Sequence, residues 1–363
     1  MSDTKIEDFF RPEEVEDPFA IGRLAFFMFQ DLYLTTSDEE PPMIRGLSPT
    51  PSPDLRGLIH VPEPLMGDTR SLRDEVLKTY DLNNHHPEFS INFDGITYRC
   101  SKIALEDGFL PNAASHVGVE HDRWHLRRLA RTAPDLAGLG HPLWLTKELD
   151  ILSEGRGLLL IAGTFSSGKT TTAAACLKRW IEKEREIAVT FEDPPEVPLD
   201  GQYDGGGACY QIHVTENEFA KGVKAARRWA PRYIYLGEIR TAETASELLQ
   251  VSTGGPMTMA TIHGSDPVSA LMNLTKFAAP AIGEDLALQM LAAGIRGVLY
   301  QKIEKGRPNI RYLSVNHSDA FSIRSKIQRG RFDHIFEEVD TQERVRMKNN
   351  GRLDVTKNSA STR

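Results

Sequence analysis

A chain of 363 residues with 40% apolar side chains has the length for two or three domains and enough apolar material for ordinary globular cores. No apolar run reaches the roughly 18 residues that cross a bilayer, the longest, Phe19 to Phe29, being interrupted by Arg23, and no secretory leader is visible at the start. The net charge of −8 resides in residues 1–40, which hold 11 acidic and 3 basic side chains, so the remainder is neutral and a general nucleic-acid coat is not expected.

Cys100, Cys176 and Cys209 are too scattered for a disulfide framework or a zinc site, and fit a reducing, cytosolic compartment. In chain order, residues 19–30 (FAIGRLAFFMFQ) predict an apolar helix and DLYLT a short strand, while Thr35 to Asp68, rich in Pro, Ser and acidic residues, predicts loop. Helical spacing returns from Ser71 to Tyr80. FSINF, GITYRCSKIAL and RWHLRRL then predict strands, an α+β arrangement.

Pro and Gly cluster from Ala130 to Pro142, which sets the expected organisation: an N-terminal domain over 1–133, a linker over 134–142, and a second domain over 143–340. Residues 341–363, with six basic and two acidic side chains, are expected as a flexible basic tail. In the second domain the strand-like runs LLLIA, IAVTF, YIYLG and MTMATI alternate with helical stretches. That rhythm predicts an α/β fold with a mainly parallel sheet and a site at its carboxyl edge. Helical spacing dominates from Asp266 to Gln301, where VLYQKI adds a last strand.

Within that domain LLLIAGTFSSGKTTT (Leu158 to Thr172) is a buried strand, a glycine turn and a helix start. Gly163, Gly168, Lys169 and Thr170 fit G-x-x-x-x-G-K-[ST]. In that motif backbone N–H groups of the loop, here Gly163, Thr164, Phe165, Ser166, Ser167, Gly168, Lys169, Thr170 and Thr171, curl round phosphates and the lysine reaches the terminal ones. Thr170 is the expected Mg²⁺ ligand, and the helix N-terminus adds a favourable dipole.

The other strands also end in polar residues: Glu192 after IAVTF, Glu238 after YIYLG and His263 after MTMATI. Hydrolysis of ATP needs Mg²⁺ and a group that orients water. Glu238 is the candidate for the water and the metal shell, and Glu192 is the second carboxylate; the residues alone do not separate their roles.

Several ordered motifs resemble the secretion and type IV pilus motor ATPases, the family of PilT, GspE and DotB. They are DLYLTTSDEEPPMIR (Asp31 to Arg45), FSINFDGITYRC (Phe89 to Cys100), LRRL, GRGLLLIAG before the Walker A loop, TFEDPPE (Thr190 to Glu196), RRWAPRYI, YLGEIRTAET (Tyr235 to Thr244) and TGGPMTMATIHG (Thr253 to Gly264). The resemblance implies a PAS-like N-terminal domain, a RecA-like P-loop domain with C-terminal helices, and a homo-hexamer binding ATP and Mg²⁺. It further implies that Arg99 and Arg127 sense phosphate, that Arg228 adds charge, and that His263 meets the γ-phosphate or an interface.

A family member would sit on the cytoplasmic side of the inner membrane, held there by platform or secretion-channel proteins and with no nucleic-acid partner, and would power a type IV secretion, conjugation or pilus machine. Departures from the family pattern stand at Gly255 and Pro256, at Pro195, in the TFSS of the loop and at Thr241; SIRSKIQ (Ser322 to Gln328) is similar to a segment of retraction motors. Two rival readings are a nucleic-acid translocase, which would need a basic stripe, and a nucleotide-dependent assembly switch with little turnover.

Overall fold

The computed structural model describes residues 22–36, 40–46, 57–103, 122–215, 218–304, 307–317 and 319–349. They form two compact units, Met1–Arg131 and Thr132–Arg363.

The first unit is one antiparallel sheet with a helix. Its strands are β1 (Asp31–Thr35), β2 (Met43–Arg45), β3 (Leu58–His60), β4 (Glu88–Phe93), β5 (Ile96–Ile103) and β6 (Arg123–Arg128), in the order β3-β2-β1-β6-β5-β4. Alternation puts Leu32 and Leu34 of β1 and Trp124 and Leu126 of β6 on the buried face. There they meet Leu72 and Val76 of α1 (Met66–Leu82), whose buried positions recur at helical spacing.

Two expectations fail in this unit. The described part of the segment expected as a helix, residues 22–30, is a series of turns with one bridge residue. Leu24, Ala25, Phe27 and Phe29 are buried, but the guanidinium of Arg128 donates to the carbonyls of Leu24, Ala25 and Phe27, and Asp68 accepts from the Leu24 N–H. Backbone groups satisfied by side chains do not need a helix. The segment expected as loop carries β2 and β3, and α1 begins at Met66 inside it. Three-residue strands paired through backbone alone leave little side-chain pattern to read.

The second unit is built on an eight-stranded sheet ordered β14-β13-β7-β12-β11-β8-β10-β9. Its members are β7 (Gly157–Gly163), β8 (Ile187–Glu192), β9 (Gly201–Gln202), β10 (Ala208–His213), β11 (Tyr233–Leu236), β12 (Met257–His263), β13 (Ile295–Glu304) and β14 (Arg307–Ser314). Six of them run parallel, and β9 and β14 close the two edges antiparallel.

Helices cover both faces, which is why β7 is buried along its whole length. Leu159 and Ile161 of β7 pack with α2 (Leu143–Ser153) and α3 (Lys169–Glu184). Leu158, Leu160 and Ala162 face the other way, toward α4 (Phe219–Ala226), α5 (Ala242–Ser252), α6 (Pro267–Ile282), α7 (Glu284–Gly294), α8 (Ala320–Gln328) and α9 (Asp333–Lys348). The helical stretch expected from Asp266 to Gln301 therefore ends at Gly294. Beyond it Ile295 enters β13 beside β7, where paired backbone and a buried face override the helical spacing.

The tail expectation is also corrected. Residues 341–348 are the second half of α9, and Gln342 and Arg346 are buried. The Gln342 amide bonds both backbone groups of Ser314, while Arg346 donates to the Tyr312 carbonyl and lies over the Trp144 and Tyr312 rings. Asn349 ends the helix, and residues 350–363 of the expected tail lie outside the described residues. Among the described residues no helix is long and apolar enough to cross a membrane.

Candidate active site

Parallel strands in cross-strand register deliver four loops to one edge of the sheet. His263 at the end of β12 pairs with Gly163 at the end of β7, and Leu236 of β11 is level with Phe191 of β8. Glu238 and Glu192 thus emerge beside the Gly163–Thr170 loop.

The loop is tightly packed beneath its opening. A Cβ on Gly163 would lie 2.3 Å from Ser167 Oγ and 2.4 Å from the Gln301 carbonyl oxygen, so no larger residue fits. Gly168 has φ +81°, the left-handed region that favours glycine, and precedes the first turn of α3. This is a cradle of backbone donors at a helix N-terminus.

Lys169 is buried, and its Nζ lies 3.2 Å from the Gly163 carbonyl and 2.9 Å from that of Thr164. Burial pushes its pKa down, and Glu238 and Glu196 oppose that. Thr170 and Thr171 are half-buried on the same turn, whereas Thr164, Phe165 and Ser166 form the exposed tip.

Glu238 is held on both sides. Arg240 meets its Oε2 through Nε at 2.7 Å and Nη2 at 2.6 Å, and His263 Nε2 lies 2.8 Å from its Oε1. Burial first, and Lys169 next, lower the His263 pKa, so its imidazole is neutral near pH 7. The Phe165 ring covers it, with centroids 4.2 Å apart. A cavity of about 610 Å³ opens here, walled by Phe165, Glu238, Arg240 and His263, with Asn273 and Lys276 of α6 on the far side.

Glu192 is almost fully buried, and burial raises its pKa to about 7. Thr190 Oγ1 and Gln211 Nε2 each donate to its Oε1 at 2.8 Å. The Gln211 amide is itself fixed, donating to the Val197 carbonyl and accepting from the Leu199 N–H.

Two of the expected arginines belong to the first unit. Arg99 and Arg127 are direct cross-strand partners on β5 and β6 of the first unit. Arg127 Nε donates to Asp31 at 3.0 Å, and Arg99 lies 3.9 Å from Glu88. Asp31 also binds His125 and Arg45, and these partners hold its carboxyl well below the usual carboxylate range against the opposing effect of burial, the largest single influence. Arg228 is exposed on a 3-10 turn (Arg227–Trp229) before β11, at the amino end of the parallel strands, opposite the loop.

Sequence reasoning missed Gln211, Gln301 and the bracing role of Arg240. For the two glutamines the signal was an uncharged polar residue inside a strand-like run, as in CYQIH and VLYQKI. Thr241, a departure from the family pattern, caps α5 by accepting from the Thr244 N–H at 3.2 Å.

A G-x-x-x-x-G-K-T loop at the end of a central parallel strand, level with Glu238 after β11 and Glu192 at the end of β8, is the arrangement of a P-loop nucleotide-binding α/β protein. Residues 121–360 match the model of the type II/IV secretion system proteins, and the chain belongs to that family. It is 32% identical over 172 residues to the type II secretion system protein E of Dickeya dadantii (strain 3937); the match takes in 47% of this chain and 32% of that relative, so the chain spans about a third of its length. The fold is similar to that of the pilus retraction motor PilT solved with bound ADP (TM-score 0.62, 19% identity, 90% of this chain and 88% of that one). It is equally similar to the Legionella pneumophila ATPase DotB (TM-score 0.63, 19% identity, 88% of each chain).

Proposed function

We propose that this protein is an ATPase that drives a secretion or pilus machine by cycles of ATP binding and hydrolysis. The observation that carries the reading is the convergence of Lys169, Glu238, His263 and Glu192 on one edge of one sheet. Lys169 neutralises the terminal phosphates, and backbone N–H groups of the loop hold the rest.

The loop cradle, which a single Cβ would fill, and the Thr170 hydroxyl on the first turn of α3 suit a nucleotide with Mg²⁺. Thr170 and Glu238 would hold that ion, which when bound neutralises the β and γ oxygens. Glu238 orients the attacking water, His263 steadies Glu238, and Glu192 is a second group able to take a proton near neutrality.

Arg99 and Arg127 are the arginines that supply charge to the nucleotide from a PAS-like first unit. Arg228, at the opposite end of the strands, suits the site of a neighbouring copy in a homo-hexamer. The working location is the cytoplasmic face of the inner membrane, reached by docking on platform or channel proteins of a type IV secretion, conjugation or pilus apparatus.

One observation favours a second reading. Both oxygens of Glu238 are engaged, by Arg240 and His263, as they would be in an assembly switch with little turnover.

Steady-state phosphate release by wild type, Lys169→Ala and Glu238→Gln separates these readings, with oligomer mass recorded with and without nucleotide. Turnover that both variants lose, with nucleotide favouring a six-subunit particle, is the expected result. ATP binding without cleavage would establish the switch, and stimulation by single-stranded DNA would establish a translocase.

A further inference from the structure

Gln301 lies on β13, 1% exposed, in an otherwise largely apolar stretch of strand. Its neighbour Tyr300 pairs with Ala162 of β7, so Gln301 is brought level with Gly163 where the phosphate loop begins. Its Nε2 donates to the Ser167 carbonyl at 2.6 Å. The two residues are 134 positions apart in the chain, and the bond joins an inner strand directly to the backbone of the loop.

Both glycines of the loop pack against this residue. A Cβ on Gly168 would come within 3.1 Å of the side-chain Nε2 and press on the amide, and one on Gly163 would lie 2.4 Å from the Gln301 backbone carbonyl oxygen. Among the described residues neither Gln301 Oε1 nor Ser167 Oγ has a hydrogen-bond partner, though both are buried. An amide satisfied at only one end is a poor way to stabilise a core, so its explanation lies in the group that it holds.

That group is the Ser167–Gly168 peptide unit. In a planar trans peptide the C=O and N–H point in opposite directions. A carbonyl tied to β13 therefore turns the Gly168 N–H away from β13.

We propose that Gln301 is a positioning residue for the phosphate loop, fixing the Ser167–Gly168 peptide so that the Gly168 N–H is aimed at bound phosphate. The inference rests on the nucleotide reading of the loop and extends it. Gln301 touches no phosphate; it acts through the backbone that does. Without it the peptide is free to rotate, and a donor already aimed before binding becomes one that must be ordered on binding.

The test is calorimetric binding of ADP and of inorganic pyrophosphate to wild type and to Gln301→Met, which keeps the length of the side chain but not its donor. Thermal unfolding without ligand is recorded alongside. The expected result is a Kd raised about tenfold or more for both ligands. In hydrolysis KM should rise by a similar factor, with kcat changed much less, and the unfolding midpoint without ligand should move by only a few degrees. Wild-type affinity in Gln301→Met overturns the proposal, as does a fall in kcat with KM unchanged.

Should Gln301→Met fail to fold, Gln301→Leu takes its place. It has no donor in any protonation state, so a comparable loss is expected and wild-type affinity again overturns the proposal. If wild type itself binds neither ADP nor pyrophosphate, the nucleotide reading fails and this inference with it. If wild type binds both and the variant binds them equally, only the inference fails.

Discussion

His263 Nε2 lies 2.8 Å from Glu238 Oε1, although the two residues belong to different strand ends and are 25 positions apart. A neutral imidazole donates one hydrogen bond to a carboxylate without adding a full charge, and so holds Glu238 in one orientation.

This pairing sets the first prediction. His263→Ala should lower the hydrolysis rate roughly ten- to a hundredfold, and His263→Gln, which can still donate, should lose less. Steady-state phosphate release measures both. The imidazole titration followed by NMR should have its midpoint below the ordinary histidine value of 6.5, the direction set by burial and by Lys169.

Glu192 makes stability depend on pH. Burial raises its folded value from 4.5 to about 7. Between those values the folded state keeps a proton that the unfolded chain has released, so stability falls as pH rises through this window, by at most about 1.4 kcal/mol per pH unit. Chemical denaturation from pH 4.5 to 8 should show the fall in wild type. In Glu192→Gln the part due to this carboxyl should be gone.

Gln211 tunes the same group. Its amide N–H favours the ionised carboxylate, so Gln211→Met should raise the Glu192 pKa further and extend the declining limb of the stability profile toward alkaline pH. The variant also strands the Leu199 N–H and the Val197 carbonyl, at a cost of about 1–3 kcal/mol. The shift of the limb is the specific readout, because a general loss of stability would lower the whole profile without moving it.

Arg346 anchors the end of α9. Arg346→Ala should destabilise the protein by about 2–4 kcal/mol, through the lost charged hydrogen bonds and the lost stacking on Trp144 and Tyr312. Arg346→Met should cost less, since its stem still packs on the rings. Urea unfolding at neutral pH compares the two.

Much of the second unit was legible because its signals are local. A strand of five apolar residues, a glycine turn and a lysine at a helix start describe the phosphate loop without any partner in space. Glu192, Glu238 and His263 stood out because each follows an apolar run. Gln211 and Gln301 did not, since their meaning depends on residues brought near only by the strand order, and Arg240, although only two residues from Glu238, carries no pattern that marks the pairing. The early apolar segment misled for a related reason: periodicity reports burial, and Arg128, more than a hundred positions away, satisfies the carbonyls that a helix would have used. The basic composition near Arg346 spoke of solvent, whereas its guanidinium is held by a carbonyl and two rings.

The strand order also decides which changes in chain length the protein tolerates. β7, β12, β11 and β8 are hydrogen-bonded on both sides, and each presents its candidate site residue by ending at a fixed level of the sheet. A residue inserted into β12 would leave Ile262 opposite Gly163 and turn His263 to the other face, because successive side chains alternate. Natural length variation should therefore collect at the opposite end of the sheet and at its outer strands, and insertion scanning should find these four inner strands closed to even a single added residue.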